Sequence, residues 1–281
     1  MGILSGLGNF GLSKFENADI YENEKKEQEQ KTETVKEVKK ITDSDFLFDK
    51  TFPCPVCGNQ FTERTMKSSK AKLIGTDVDL RARYENIDPL KYDVIACPSC
   101  GYAALSRFYK NITAPQAKLI KENISKNFTK IKRAQEYSYD DAIERYQLAL
   151  ANAVVKRSRA SEKAYICLKM AWLVRGKMEG YDLNAPDYDE VIAKSKADEA
   201  ELLQSALEGF LAATSSETFP MCGMDEITVD YIIAVTAARF DKIDIAAKLI
   251  SKILGSPSAT SRMKDKAREL KEQIIQRKKG N

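Results

Sequence analysis

Along the chain the spacing of apolar positions changes character at Thr113. Beyond it the pattern is helical: Ala117, Ile120, Ile124, Phe128 and Ile131 fall on one face of a first helix. A second is predicted over Tyr139 to Ala153, with Ala142, Tyr146 and Ala149 spaced four and three apart. A third spans Ser161 to Lys177 and holds the only tryptophan, Trp172. A fourth runs from about Tyr188 or Ala193 to Ala213, followed by Met224 to Arg239, Ile243 to Leu254 and Thr260 to Arg277. Helices joined by short connections, with no strands between them, imply a bundle or a solenoid. Before Thr113 the pattern is different. Asn59 to Met66 and Tyr92 to Ala96 read as short strands. The stretch between them, with Asp77, Asp79 and Tyr84 and then Asn86-Ile-Asp-Pro-Leu, reads as an elaborated loop, and Pro89 disfavours regular helix just before it.

Residues 20 to 43 alternate glutamate and lysine with almost nothing apolar to bury, so they read as a linker. Residues 1 to 14 are apolar but glycine-broken, without the basic start of a secretory signal. They read as a disordered tail, and no apolar run approaches the length of a membrane span. The expected organisation is therefore 1–43 tail and charged linker, 44–108 a small β-containing module, and 109–281 a helical domain.

The helical part resembles tetratricopeptide repeats, in which small residues let paired helices approach. Ala142, Tyr146 and Ala149 match the spacing of that repeat's second helix, and Tyr165, Leu168 and Trp172 that of its first. Ala234 and Ala246 repeat the theme less cleanly. The glycine expected after Leu168 is Lys169, and Gly180 to Ala197 interrupts a repeat that should recur about every 34 residues. The expected fold class is mainly α: a tetratricopeptide-like hairpin array preceded by the β-containing module.

Four cysteines give that module its chemistry. Cys54 and Cys57 lie in Pro-Cys-Pro-Val-Cys-Gly, and Cys97 and Cys100 in Cys-Pro-Ser-Cys-Gly-Tyr. Each Cys-x-x-Cys-Gly is a tight turn that aims two thiolates at one point, and two of them supply the four sulfurs of a closed tetrahedral site. The chain has no histidine, so a soft-metal site here must be all-cysteine. Two disulfides are the first rival, disfavoured in a reducing cytosol. A mononuclear iron centre is the second, since geometry alone does not separate iron from zinc. The expected cofactor is one structural Zn2+ per chain in a zinc-ribbon-like fold, adding folding energy and no chemistry, because a closed site has no open position for water.

Charge changes the picture only through its distribution, the formal net being +4. From Arg107 to Arg133 there are eight basic residues and one acid, Glu122, whereas Glu179 to Glu226 is mostly acidic. The absence of histidine removes the usual general base, and no phosphate-binding loop is present. Asp77 and Asp79, or Asp187, Asp189 and Glu190, are spaced as loop acids that could hold a hard cation, but such acids are usually solvated. Cys167 reads as a small core residue. Cys222 precedes a helix expected to start near Asp225, whose dipole would lower a thiol pKa, although a packed loop cysteine is the plainer reading.

The runs Asp49-Lys-Thr-Phe-Pro-Cys-Pro-Val-Cys-Gly and Asn86-Ile-Asp-Pro-Leu-Lys-Tyr-Asp-Val-Ile-Ala-Cys-Pro-Ser-Cys-Gly-Tyr-Ala-Ala are similar to those of the bacterial family domain of unknown function 2225. The similarity covers about Phe48 to the C-terminus. It implies a cytoplasmic bacterial protein and carries over the four cysteines as ligands, with no catalytic residue.

The functional expectation is a non-enzymatic zinc-binding scaffold or adaptor for a protein or peptide. The alternative is a nucleic-acid-binding zinc-ribbon protein that uses the basic run after the second knuckle. In a tetratricopeptide-like array the partner groove would be lined by Lys163, Ile166 and Met170 on one helix and by Tyr231, Val235 and Arg239 on another, apolar with a basic rim.

Overall fold

The computed structural model describes residues 41–280, apart from positions 68, 131 and 132. Most of the tail and charged linker therefore lies outside the described residues, as do Ile131 of the first helical face and Lys132 of the basic run. Among the described residues, three two-stranded antiparallel hairpins lead into seven helices.

In the first hairpin β1 (Leu47–Pro53) pairs with β2 (Gln60–Met66), Leu47 opposite Met66 and Pro53 opposite Gln60. In the second β3 (Leu73–Thr76) pairs with β4 (Ala82–Tyr84), with an irregularity between Leu73 and Gly75. In the third β5 (Val94–Ala96) pairs with β6 (Ala103–Leu105). The strands expected over 59–66 and 92–96 are present. The segment around Asp77 and Asp79, expected as a loop, is the turn of the second hairpin. Its four-residue and three-residue strands are too short for the alternation of strand side chains to show in sequence. Pro89 opens a 3-10 turn, Pro89–Tyr92, whose start is fixed by the Leu90 N–H donating to the Asp88 carboxylate at 3.0 Å.

The helices are α1 (Ala114–Ile120), α2 (Tyr139–Val155), α3 (Ala160–Glu179), α4 (Tyr188–Ser216), α5 (Glu226–Arg239), α6 (Ile243–Gly255) and α7 (Ser261–Gly280). Their starts are written in side chains. Thr113 with Gln116 and Ser138 with Asp141 form reciprocal caps, and Asp225 accepts from the Thr228 N–H at 2.8 Å. The first helix is shorter than its apolar pattern, because after Ile120 the chain widens into a π-helical turn, Lys121–Ser125. Half of the interruption expected at Gly180 to Ala197 is helix, since α4 begins at Tyr188.

The fold is built around α3. Ile166, Met170 and Leu173 pack with Val94, Ala96, Ala103 and Leu105 of the third hairpin and with Ala142, Tyr146 and Ala149 of α2. Ala164, Cys167, Leu168, Ala171 and Trp172 pack into a second cluster, with Leu203, Leu207 and Phe210 of α4 and with apolar residues of α5, α6 and α7. A helix covered on both sides is apolar nearly all round. Gly209 lets α4 come close: a Cβ there would stand 2.8 Å from that of Ala164. Side chains from both sides of position 108 thus share one core, and Thr42–Asn281 is a single compact unit.

This burial corrects the groove drawn from sequence. Ile166, Met170 and Tyr231 have relative exposures of 0%, 3% and 1%. They are core residues: α2 and the third hairpin cover Ile166 and Met170 on the side of α3 that a solenoid would leave open, and Tyr231 of α5 is buried in the cluster that α3 and α4 share with α5, α6 and α7. Lys163 and Val235 are half-buried, and Arg239 donates to Glu199 at 2.8 and 3.0 Å.

The acids of the second hairpin are likewise not solvated. Asp79 is buried; it accepts from the Trp172 indole N–H at 2.9 Å and from Arg175 at 2.7 and 3.0 Å. Arg175 also donates to Asp77 at 3.2 Å and to Glu199 at 2.8 Å. Burial alone would raise the Asp79 and Glu199 carboxyls, but the arginines, with Trp172 at Asp79, outweigh it and hold both below the usual carboxylate range. Their stabilising contribution is complete above the unfolded carboxylate pKa of about 4 and is lost as pH falls through the depressed folded values. Arg175→Met leaves two buried carboxylates short of a partner. It should cost about 3–5 kcal/mol in denaturant unfolding at pH 7, a penalty that shrinks in acid as the carboxylates take up protons.

Candidate metal centre

The two cysteine knuckles are the connections of the first and third hairpins, and they are built alike. In one, the Cys54 N–H donates to the Asn59 carbonyl at 2.9 Å and the Gly58 N–H to the Cys54 carbonyl at 2.9 Å. In the other, the Cys97 N–H donates to the Tyr102 carbonyl at 2.8 Å and the Gly101 N–H to the Cys97 carbonyl at 3.1 Å. The fifth residue of each turn has positive φ, +78° at Gly58 and +73° at Gly101, which glycine adopts without a steric penalty. Gly101 has a second reason: a Cβ there would fall 2.5 Å from the Phe128 ring.

The knuckles bring Cys54, Cys57, Cys97 and Cys100 together with all four sulfurs within 4.8 Å of one another. Cys54 Sγ is 3.6 Å from Cys100 Sγ, and Cys57 Sγ is 3.7 Å from Cys97 Sγ. A disulfide needs about 2.0 Å, so the sulfurs are free thiols. Four sulfurs each about 2.3 Å from a central metal stand roughly 3.8 Å apart, and the closest pairs here have that spacing. The donor set therefore fits a four-coordinate thiophilic ion, with Cys54, Cys97 and Cys100 buried and Cys57 half-buried. Backbone N–H groups already point at the sulfurs, those of Cys57 and Val56 at Cys54 and those of Ser99 and Cys100 at Cys97.

Without an ion the charge is divided unevenly among Cys54, Cys97 and Cys100. Hydrogen bonds from Cys100 and Cys97 draw the Cys54 thiol far down. At Cys97 the bond from Cys100 lowers the pKa, but the bond to Cys54 and burial outweigh it and push the thiol up to about 11. Cys100 is held protonated mainly by its bonds to Cys54 and Cys97. A bound dication takes the place of these protons, so binding releases them.

The centre sits on an aromatic cluster. Phe52, Phe61, Tyr102 and Tyr109 are in ring contact, Tyr102 and Tyr109 at 5.0 Å between centroids. The Tyr102 hydroxyl donates to the Tyr109 carbonyl at 2.9 Å. The buried Tyr109 hydroxyl has no nitrogen or oxygen partner among the described residues, and the sulfur of Cys54 is the polar group beside it. An O–H beside a metal thiolate is the kind of contact that tunes such a site. Asn152 of α2, with no exposed surface, donates its side-chain N–H to the Gly101 carbonyl at 2.9 Å and so ties the second knuckle to the helices. Sequence reasoning missed both residues. The one available signal was a polar side chain, Asn152, on the alanine face that Ala149 and Ala153 also mark.

Cys222 lies apart from the centre. It is buried, and burial pushes its thiol up to about 11, opposite to the lowering expected from the α5 dipole. Its carbonyl accepts from Arg107. Of the basic run, Arg133 is likewise engaged, with Asp49 at 3.0 Å, while Lys110, Lys118, Lys121, Lys126 and Lys130 are exposed.

Protein purified without added metal should contain one metal ion per chain by elemental analysis, and Cys97→Ser should lose it. Because binding releases protons, affinity measured by chelator competition should fall as pH is lowered from about 8 to 6. Because Asn152 and the third hairpin share the helical core, chelation should also lower the helical melting temperature, read by circular dichroism.

Comparison with curated proteins and with solved structures yields no match. Residues 47–274, from β1 into α7 and including both knuckles, match the family described as "Uncharacterized protein conserved in bacteria (DUF2225)". With more than half of its length covered by that match, the chain belongs to this bacterial family.

Proposed function

We propose that the protein is a non-enzymatic scaffold, held together by one structural zinc ion and binding another protein. The observation that carries this reading is the closed four-sulfur cluster at the join of hairpins and helices. A tetrahedral ion with four protein thiolates has no position for substrate or water, and its contribution is rigidity. Zinc fits the all-thiolate set and the closed site.

A seat for the partner is available where the turn of the second hairpin meets the helices. A cleft of about 550 Å³ there is lined by Val78, Val235, Leu270 and Ile274, with Arg239 and Arg277 also on its walls. Val78 is 47% exposed and presents an apolar side chain at the mouth of the hairpin turn. The cleft suits a peptide with one hydrophobic anchor, its flanks meeting the acids Asp77 and Glu179 as well as Arg239 and Arg277. Two of the residues assigned to the groove from sequence, Val235 and Arg239, belong to it.

The second reading, nucleic-acid binding, is favoured by the five exposed lysines between Lys110 and Lys130. It requires an affinity that falls steeply with salt, measurable by fluorescence anisotropy with single-stranded and duplex oligonucleotides. The scaffold reading is tested by capture from the native cell with the full chain. The combination of Val78→Glu and Val235→Glu should lose a partner that Lys121→Glu retains, with zinc content unchanged in both. A partner kept by the cleft variant and lost with Lys121→Glu would sink the cleft.

A further inference from the structure

The hairpin that carries Cys97 and Cys100 at its tip has a second polar end. There the Ser106 N–H donates to the Asp93 carbonyl at 2.7 Å, and the Ser106 hydroxyl and the Lys169 ammonium each bond one oxygen of the Asp93 carboxylate. These three side chains line a cleft of about 550 Å³. Its other walls are apolar and aromatic, chiefly Leu90, Tyr165, Trp172, Met224 and Ile232. The cleft lies where the hairpins meet α3 and α5, and its volume is in the range of small-molecule sites.

Its charged side chains are Asp93 and Lys169, which form one ion pair. Lys169 Nζ stands 4.5 Å from the centroid of the Tyr165 ring, and the Arg107 guanidinium lies over the same ring at 5.9 Å. The ion-pair partner of Lys169 is Asp93, while Arg107 has no carboxylate within 4 Å among the described residues. Two cations thus flank one ring, Lys169 on the cleft wall and Arg107 outside its lining. Burial would lower the Lys169 pKa, but Asp93 outweighs it and the ammonium stays charged. Of its three N–H donors, Asp93 takes one and the Tyr165 side chain a second. The third is unassigned and can meet an acceptor in the cleft.

We propose that this cleft binds a small hydrophobic carboxylate, its aromatic or branched body against Tyr165, Trp172 and Ile232 and its carboxylate on the free N–H of Lys169. The source is a free small molecule, because the N–H donor and the apolar walls lie together within one cleft of about 550 Å³. The inference does not rest on the scaffold reading: it needs no partner protein, and its readout does not depend on one.

Trp172 is the chain's only tryptophan and a wall of the cleft, so its fluorescence reports occupancy directly. The metal-loaded full chain is titrated with phenylacetate, 2-phenylethanol and 2-phenylethylamine, which share a body and differ in the polar group. Phenylacetate should give a saturable change, the alcohol should bind about tenfold more weakly for want of a charge-assisted hydrogen bond, and the amine should give none. Lys169→Met should weaken phenylacetate about tenfold and leave the alcohol within about twofold. Should that variant fold poorly, Thr228→Phe fills the cleft without touching its polar groups and should abolish the response. The proposal is overturned by no saturable change with phenylacetate, by equal binding of the amine, or by an undiminished response in Thr228→Phe. A peptide ending in phenylalanine that binds where phenylacetate does not would overturn the small-molecule assignment in favour of a peptide carboxylate.

Discussion

The contact between the third hairpin and α2 is the one on which the rest of the molecule depends. Val94, Ala96, Ala103 and Leu105 lie against Ala142, Tyr146, Ala149 and Ala153, and all eight are buried. The alanines matter as much as the large residues: they let a two-stranded ribbon approach a helix closely, and Tyr146 fills what remains. A two-stranded hairpin has marginal stability alone, and one of three residues per strand has none to spare. Packing on the helix supplies the missing support, and Asn152 adds a directional bond to Gly101 at the place where the ribbon becomes the knuckle. The four-cysteine cluster and the helical layers are therefore not two modules joined by a linker. Each completes the other's core.

The helices were legible in the sequence because each carries a repeating apolar face and most have a side-chain cap. Their ends were found to within a few residues, from Tyr139 onward. The four sulfurs were legible because spacing alone defines a knuckle. What stayed hidden has a common cause. The second hairpin is too short to show a period, and its acids look like loop acids until Arg175, almost a hundred residues later, is placed beside them. The groove was misplaced for the same reason in reverse. A solenoid register tells which face of a helix is apolar, but not that a ribbon from elsewhere in the chain covers it. Local pattern carries local structure, and the long-range partner decides which apolar face is core.

Three buried charge clusters follow one plan. Glu63 of β2 holds Arg145 of α2, which lies over the Tyr137 ring at 4.4 Å. Asp79 and Glu199 share Arg175, and Asp93 holds Lys169. In each case at least one partner comes from a hairpin segment and another from a helix. Such pairs add little net stability over apolar replacements, but breaking one is costly. Their effect is to make one docking of ribbons on helices far better than its neighbours.

The two matching knuckles also have a topological consequence. Forty positions separate Cys57 from Cys97, and an ion that joins them closes a ring of chain containing β2, the second hairpin, the 3-10 turn and β5. A crosslink closing a loop of that size removes about 4 kcal/mol of conformational freedom from the unfolded chain. Inside that ring the second hairpin makes its own distant bond, through Asp79 to Arg175 and Trp172. The segment is thus a lasso fastened at its neck by sulfur and at its far end by salt bridge. Opening either fastening would free the same stretch of chain, so the metal centre and the Arg175 network should unfold as one kinetic unit although neither touches the other.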